Sequence, residues 1–270
     1  MRGTRGPQGM PWAREAALAG FTAAGLAVAH AGPGLTALGP LRRALFPRLA
    51  GLGRPDHVAL TFDDGPDPAS TPAFLDLLAA RRTRATFFLL GSMVARAPQL
   101  AAEIAAAGHE VAVHGWDHRY TILRSPRDTF GDLARARDVV SETTGQRPRF
   151  YRPPYGVLSS GAVLAARRLG LTPVLWSSWG EEWTPGASAD SVFAAVMAGL
   201  TGGATVLLHD SDCTSPAGAA SAALGALPWV LDECSARGLA AGNLADHGLA
   251  DGGSRGSPGH RLAYDRTPAR

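Results

Sequence analysis

Two adjacent carboxylates, Asp63 and Asp64, close the apolar run "HVALTF" from His57 to Phe62, and Gly65-Pro66 follows them. Like charges this close repel, so a fold that keeps both near its interior must separate or neutralise them. Residues able to do so recur along the chain. "HGWDH", His114 to His118, sets two imidazoles four positions apart, which lets them converge on one ion from a helix face or a strand-to-loop exit. Alone this pair is a weak signal. Joined by a carboxylate from a neighbouring strand end, it makes an open three-ligand site that leaves a metal a position for water. Zinc is the first candidate for such donors, with cobalt, nickel, manganese or iron acceptable by ligand type. One aspartate then binds the metal while its neighbour handles protons. "RFYRPPYG" carries Arg152, a cation able to hold that neighbour ionised and oriented. "VLLHDS" carries His209, a proton donor for a leaving amine. The set describes metal-assisted hydrolysis of an amide or ester.

The elements that must position these residues alternate. Strand candidates are His57–Phe62, Ala85–Leu90, Glu110–His114, Phe150–Tyr151, Pro173–Ser177, Thr205–His209 and Leu239–Asn243. Helix candidates lie between them: Pro72–Arg82, Ala97–Ala107, Arg127–Thr144, Gly161–Leu169, Ser188–Leu200 and Ala217–Arg237, the last interrupted near Pro228. Several stop at a glycine. This alternation argues for parallel strands with helical crossovers, and the uniformly apolar strands for a sheet covered on both faces. Active sites in such folds gather at the carboxyl ends of strands, where the ionisable residues above all fall. No GxGxxG follows the first strand, which argues against a dinucleotide fold.

"TFDDGPDP", "HGWDH", "RPPYG" and "LLHDS" stand in an order and spacing that resembles the polysaccharide deacetylases, the family 4 carbohydrate esterases with a NodB-homology domain. The resemblance runs from about His57 to Asn243. It implies a single α/β catalytic domain folded as a distorted (β/α)7–8 barrel, and an N-acetylated glycan as substrate: peptidoglycan, a chitin oligomer or another envelope polysaccharide. Carried over by position, it makes Asp63 the general base and Asp64, His114 and His118 the ligands of a divalent metal, Zn2+ first and Co2+, Ni2+, Mn2+ or Fe2+ after it. Arg152 would orient the base, and His209 would be the general acid. Tyr155 would lend a backbone amide to the oxyanion, and Trp183 would line the substrate groove. Two positions depart from the family pattern. Gly115 stands where a Ser or Thr hydroxyl usually braces the second motif. The carboxylate that usually partners the acid histidine falls on Trp179, leaving Glu181 or Glu182 for that role. The altered motif keeps two alternatives open: a deacetylase or deformylase of a lipid-linked sugar or small amide, and a non-catalytic glycan-binding protein.

The ends differ from the middle. Ala16 to Ala29 is an uncharged Ala/Leu-rich run preceded by Arg2, Arg5 and Arg14, the pattern of a leader or anchor. An apolar helix packed on the catalytic domain would look the same. Residues 1–50 therefore read as a targeting, anchoring or packing segment, 51–245 as the catalytic domain, and 246–270, rich in Gly, Arg and Ser, as a disordered tail. An envelope location follows, exported or membrane-associated through the amino-terminal segment, with a cytoplasmic one as the alternative. The formal charge of +3 sits largely at the ends, with no interior basic stripe, so a nucleic-acid partner is not expected. Cys213 and Cys234 form no CxxC and read as one disulfide or two buried thiols.

Overall fold

β1 (His57–Asp63) is buried at every position. Side chains of alternating parity point to opposite faces of a strand, and here both faces are covered. The computed structural model describes residues 22 and 24–249. The other strands are β2 (Thr86–Leu89), β3 (Glu110–Val113), β4 (Phe150–Tyr151), β5 (Thr172–Pro173), β6 (Ser178–Trp179), β7 (Thr205–His209) and β8 (Ala240–Gly242). All pair in parallel in the order β5-β4-β3-β2-β1-β7-β6, and β8 pairs with the first residues of β1. The register places Asp63 beside both Phe88 and His209, so two candidate site residues leave the sheet level with each other. This is an incomplete parallel barrel, the fold the family resemblance implies, where the alternating pattern alone asked only for parallel strands with helical crossovers.

Helices cover the outside: α1 (24–31), α2 (Gly39–Leu45), α3 (Thr71–Ala80), α4 (Gly91–Arg96), α5 (Pro98–Ala106), α6 (Pro126–Thr144), α7 (Ser160–Arg168), α8 (Ala189–Gly199) and α9 (Ala219–Ala236). Local chemistry sets their limits. The Ser125 hydroxyl accepts from the Asp128 amide ahead of Pro126, and α6 stops at Gly145 in the left-handed region, a start and stop that each relieve unpaired backbone groups. Leu60, Phe62, Phe87, Val206 and Leu208 join the helices in one core cluster. The opposite face of the same strands adds Ala59, Phe88, Ala112 and Phe150 to a smaller one.

No pairing links β5 to β6 among the described residues. The single strand expected over Pro173–Ser177 is two short ones, because the intervening backbone bonds elsewhere: the Leu175 amide donates to the Leu49 carbonyl at 2.8 Å. The fold also reaches further than the expected tail boundary at 246. Leu244, His247 and Leu249 are buried, and His247 Nε2 donates to the Gly51 and Gly203 carbonyls, so residues 246–249 belong to the packed structure. The rest of that segment, 250–270, and the start of the candidate leader, residues 1–21 with Arg2, Arg5 and Arg14, lie outside the described residues. Both cysteines are free, Cys213 exposed and Cys234 buried, which replaces the disulfide and the two-buried-thiol readings alike.

Candidate active site

The carboxyl ends of β1, β3, β4 and β7 converge on a cleft of about 340 Å3 lined by Asp63, His114, His118, Tyr155, Trp176, Trp183, Leu207 and His209, among others. Strand pairing ends at Asp63, and Asp64 takes a left-handed backbone, φ 78°. The turn that follows is tight: a Cβ on Gly65 would come within 2.4 Å of the buried Asp210 carboxylate. Burial pushes the Asp210 carboxyl up to about 7, with the Thr71 hydroxyl bond opposing it.

Asp63 is held by Arg152. The guanidinium is fully buried, and its NH1 donates to Asp63 Oδ1 at 2.6 Å and to Thr61 Oγ1 at 2.8 Å. Its Nε and NH2 donate to the Val174 and Leu175 carbonyls at 3.2 and 3.0 Å. Every donor nitrogen is thus engaged, which fixes the plane of the fork and leaves Asp63 Oδ2 free toward the cleft.

Asp64, His114 and His118 each offer one ligand atom, all within 4.8 Å of one another. Proton bookkeeping tests whether a cation fits there. His114 Nδ1 lies 2.8 Å from the Arg152 carbonyl, which can only accept, so Nδ1 carries the hydrogen. A neutral His114 then presents the bare lone pair of Nε2 to Asp64 Oδ1, 3.3 Å away. Asp64 Oδ1 is itself buried with no hydrogen-bond partner. Two acceptors facing each other in a buried site are reconciled by a proton or a metal cation between them, and a cluster of three such donor atoms suits the metal. His118 Nε2 faces the same oxygen at 3.6 Å. Burial, then repulsion from His114, pushes the His118 imidazole down to about 4, so its lone pair is available at neutral pH. The residues present fit a divalent metal.

His209 faces them from β7, its Nε2 3.9 Å from Asp64 Oδ2. Its Nδ1 donates to Glu182 Oε1 at 2.7 Å, and Glu182 is almost fully buried. Burial alone would lower the imidazole, but the hydrogen bond to Glu182 and its charge outweigh that and raise it to about 9. Glu182 is therefore the partner that the displaced motif left open. Glu181 adopts φ 55° and turns outward to accept from Trp179 Nε1 at 2.7 Å. Gly180 provides the space: a Cβ there would come within 2.4 Å of Glu182 Oε2.

Tyr155 also has a left-handed backbone, φ 59°. Its ring stacks on Tyr120, centroids 3.8 Å apart, and meets His118 edge-on at 4.3 Å. Trp183 stands edge-on to His209 at 5.4 Å. All eight residues singled out from the sequence thus come together at one end of the barrel.

Three contributors carried no sequence signal. Thr214, in the loop after β7, donates its hydroxyl to Asp64 Oδ2. Tyr120 pins Tyr155. Asp132, on α6, accepts from the Trp116 amide at 2.9 Å and pairs with Arg124. Asp132 takes over the bracing that a hydroxyl after His114 would supply, and Gly115, φ 91°, has a backbone that disfavours such a side chain.

Comparison with known proteins agrees with this geometry. The family model described as polysaccharide deacetylase matches residues 51–174. A chitooligosaccharide deacetylase of a Bradyrhizobium species is 38% identical over 155 residues, 57% of this chain and 70% of the relative. A peptidoglycan-N-acetylglucosamine deacetylase of Listeria monocytogenes is 38% identical over 161 residues, 60% of this chain but only 34% of the relative, so the chain spans about a third of that protein's length. Among solved structures, the Bc1960 peptidoglycan N-acetylglucosamine deacetylase, crystallised with an N-hydroxybenzamide derivative, superposes with a TM-score of 0.67 at 28% identity, covering 74% of this chain and 92% of that one.

Proposed function

The chain belongs to the polysaccharide deacetylase family, and we propose from that premise that it hydrolyses N-acetyl groups on an envelope glycan, releasing acetate and leaving a free amine. One observation carries the reading. A carboxylate locked by a buried arginine and an imidazolium locked by a buried glutamate stand on either side of one candidate metal site. A binding protein has no use for an acid and a base so placed, whereas amide hydrolysis needs both.

In this reading Asp64, His114 and His118 hold the divalent metal, and zinc suits two imidazoles and a carboxylate best. When bound, the metal supplies a Lewis acid that polarises the acetamide carbonyl and makes a water more acidic. Asp63 Oδ2 receives the proton of the attacking water, while Arg152 keeps that carboxylate ionised and correctly turned. The Tyr155 N–H donates to the oxygen that gains charge. His209 Nε2–H delivers a proton to the departing nitrogen, and Glu182 stabilises the imidazolium until then. Trp176, Trp183 and Leu207 give the acetyl methyl an apolar surround. N-acetylglucosamine or N-acetylmuramic acid in peptidoglycan and chitin oligomers are the substrates we assign.

The amino-terminal segment supports an envelope location. Leu26, Val28, Leu35, Leu38, Leu41, Leu45 and Phe46 are all exposed, a run of apolar side chains suited to a lipid surface. We assign these exposed apolar side chains to a lipid surface; no helix among the described residues is long and apolar enough to cross a membrane.

Acetate release from purified peptidoglycan and chito-oligosaccharides tests the activity, with and without exhaustive chelation by dipicolinate. Release that stops on chelation and returns with zinc is expected. Absence of release from every acetylated glycan by the zinc-loaded protein refutes the reading.

A further inference from the structure

The family match begins at residue 51, yet the chain ahead of it reaches the back of the cleft. Arg42, on α2, is 3% exposed and has no carboxylate partner among the described residues. Its NH1 donates to the Thr36 carbonyl at 2.9 Å and its NH2 to the Trp176 carbonyl at 2.7 Å. The flanking backbone is held from the same side: Arg43 NH1 donates to the Ser177 carbonyl at 3.3 Å, and the Leu49 carbonyl accepts from the Leu175 amide. Three successive residues of the 174–177 connector are thus gripped by residues 42–49. They lie where the barrel is open between β5 and β6: the Val174 amide still bonds β4 and the Ser177 amide β7, and the Leu175 carbonyl accepts from Arg152, but the Trp176 carbonyl between them has Arg42 as its one partner among the described residues. A buried cation facing only carbonyls is costly, and burial, then repulsion from Arg43 and Arg152, lowers the Arg42 guanidinium to about 10. It stays charged at neutral pH.

Trp176 passes this restraint into the cleft. Its ring lines the pocket and abuts the turn that bears Tyr155: a Cβ on Gly156 would lie 2.7 Å from the ring edge. The two guanidinium groups of Arg42 and Arg152 lie 5.6 and 5.7 Å from the ring centroid. A second contact runs to the same turn, because a Cβ on Gly34 would meet Val157 Cγ1 at 3.7 Å and the Leu158 carbonyl at 3.6 Å. We propose that Arg42 is a positioning residue for the deacetylation site: it fixes the Trp176 backbone, and through the Trp176 ring it holds the Pro153–Gly156 turn that presents Tyr155. Residues 32–50 then form a wall of the active site, although they precede the family domain.

The kinetic part of this proposal rests on the deacetylase reading; the structural part does not, and the experiment separates them. Arg42→Met and Arg42→Lys are compared with the unaltered full chain by hydrogen exchange with mass spectrometry and by steady-state kinetics on chito-oligosaccharides. Arg42→Met is expected to speed amide exchange roughly tenfold in both 154–158 and 174–178 while β1 and β7 stay protected. Its kcat falls about tenfold with KM changed less than threefold, the signature of a displaced reacting group. Arg42→Lys, which keeps the charge and one donor, recovers part of both. If Arg42→Met loses its cooperative melt, Arg42→Lys alone carries the comparison. Faster exchange confined to 32–46, with 154–158 unchanged, overturns the proposal whatever the kinetics show. An unaltered chain without deacetylase activity sinks the functional reading and leaves the exchange result to decide the rest.

Discussion

Replacing Glu182 by Gln keeps the shape and an acceptor for His209 Nδ1–H, and removes only the charge. The 2.7 Å bond between them is buried at both ends, so little solvent screens it. A charge-assisted hydrogen bond of this kind contributes about 1.5–3 kcal/mol, which at about 1.4 kcal/mol per pH unit corresponds to a fall of roughly 1–2 units in the imidazole pKa. The sign follows from the role. His209 must be protonated to act as an acid, and its raised pKa of about 9 keeps it so through neutral pH. Activity is therefore lost as pH rises through that value. Glu182→Gln should move the basic limb of kcat/KM down by about 1–2 units, and at a pH near the unaltered pKa the rate should drop by about one order of magnitude. A metal on Asp64 lowers the imidazolium pKa in both proteins alike, so the difference between them is the quantity to read. The assay is acetate release across pH in metal-saturated enzyme, with Glu181→Gln as control. Glu181 faces outward, and its removal should leave the limb in place. A basic limb that does not move in Glu182→Gln, or that moves equally in Glu181→Gln, refutes the assignment of Glu182 as the partner of the acid.

Asp63→Asn should lower kcat by about 10²–10⁴, the range of a lost general base, while zinc content measured by atomic absorption stays near one per chain. Loss of metal and activity together would mean that the two aspartates do not divide the work. The same variant leaves Arg152 buried without its counter-charge, so its thermal midpoint should fall too, and an unchanged melt would contradict the burial of that pair. Asp132→Ala frees the Trp116 amide and Arg124, loosening the loop between His114 and His118. Zinc affinity by competition with a chromophoric chelator should weaken roughly 10–100-fold, as for other lost supports of a metal ligand, and unaltered affinity would show that the loop needs no brace. His118→Ala removes a ligand outright and should abolish stoichiometric zinc binding.

Strand ends were legible because burial forces apolar residues into parallel strands and exposes the polar residues that follow. Asp63, Asp64, Arg152 and His209 were readable for that reason. What escaped depends on single backbone angles and on partners distant in sequence. Glu181 and Glu182 are neighbours of identical chemistry, and only φ 55° at Glu181 with the space at Gly180 decides which turns inward. Asp132 sits on a helix face where one more acidic residue looks like solvated surface, and nothing nearby announces that its carboxylate reaches the Trp116 amide. Thr214 lies in a polar loop of small residues where a hydroxyl is unremarkable. Pro173–Ser177 had the composition of a strand, and its ends do bond β4 and β7, but between them the Leu175 amide and the Trp176 carbonyl go to Leu49 and Arg42, partners more than a hundred residues away. The short α4 lacked a period long enough to register.

The charges in the cleft give the reason for two adjacent aspartates. Asp63, Asp64 and Glu182 supply three negative charges, all buried, and Arg152 with the imidazolium of His209 supplies two positive ones. His114 would bind a metal through an unprotonated Nε2, its Nδ1–H going to the Arg152 carbonyl, and burial favours the neutral form of His118. With both imidazoles in that ligating form, the protein alone leaves an excess negative charge on the carboxylate whose Oδ1 has no partner, with Asp210 close behind it. Such an excess in a low-dielectric site is costly. A divalent cation reverses the sign, leaving the site one unit positive, which suits the negative charge that develops on an amide oxygen during attack. In the proposed reading Asp63 and Asp64 can sit side by side because each answers to a different positive charge, one built into the chain as Arg152 and one that a metal ion from solution would supply. A variant that equalises them by removing Arg152, such as Arg152→Met, should then leave Asp63 competing with Asp64 for the same cation.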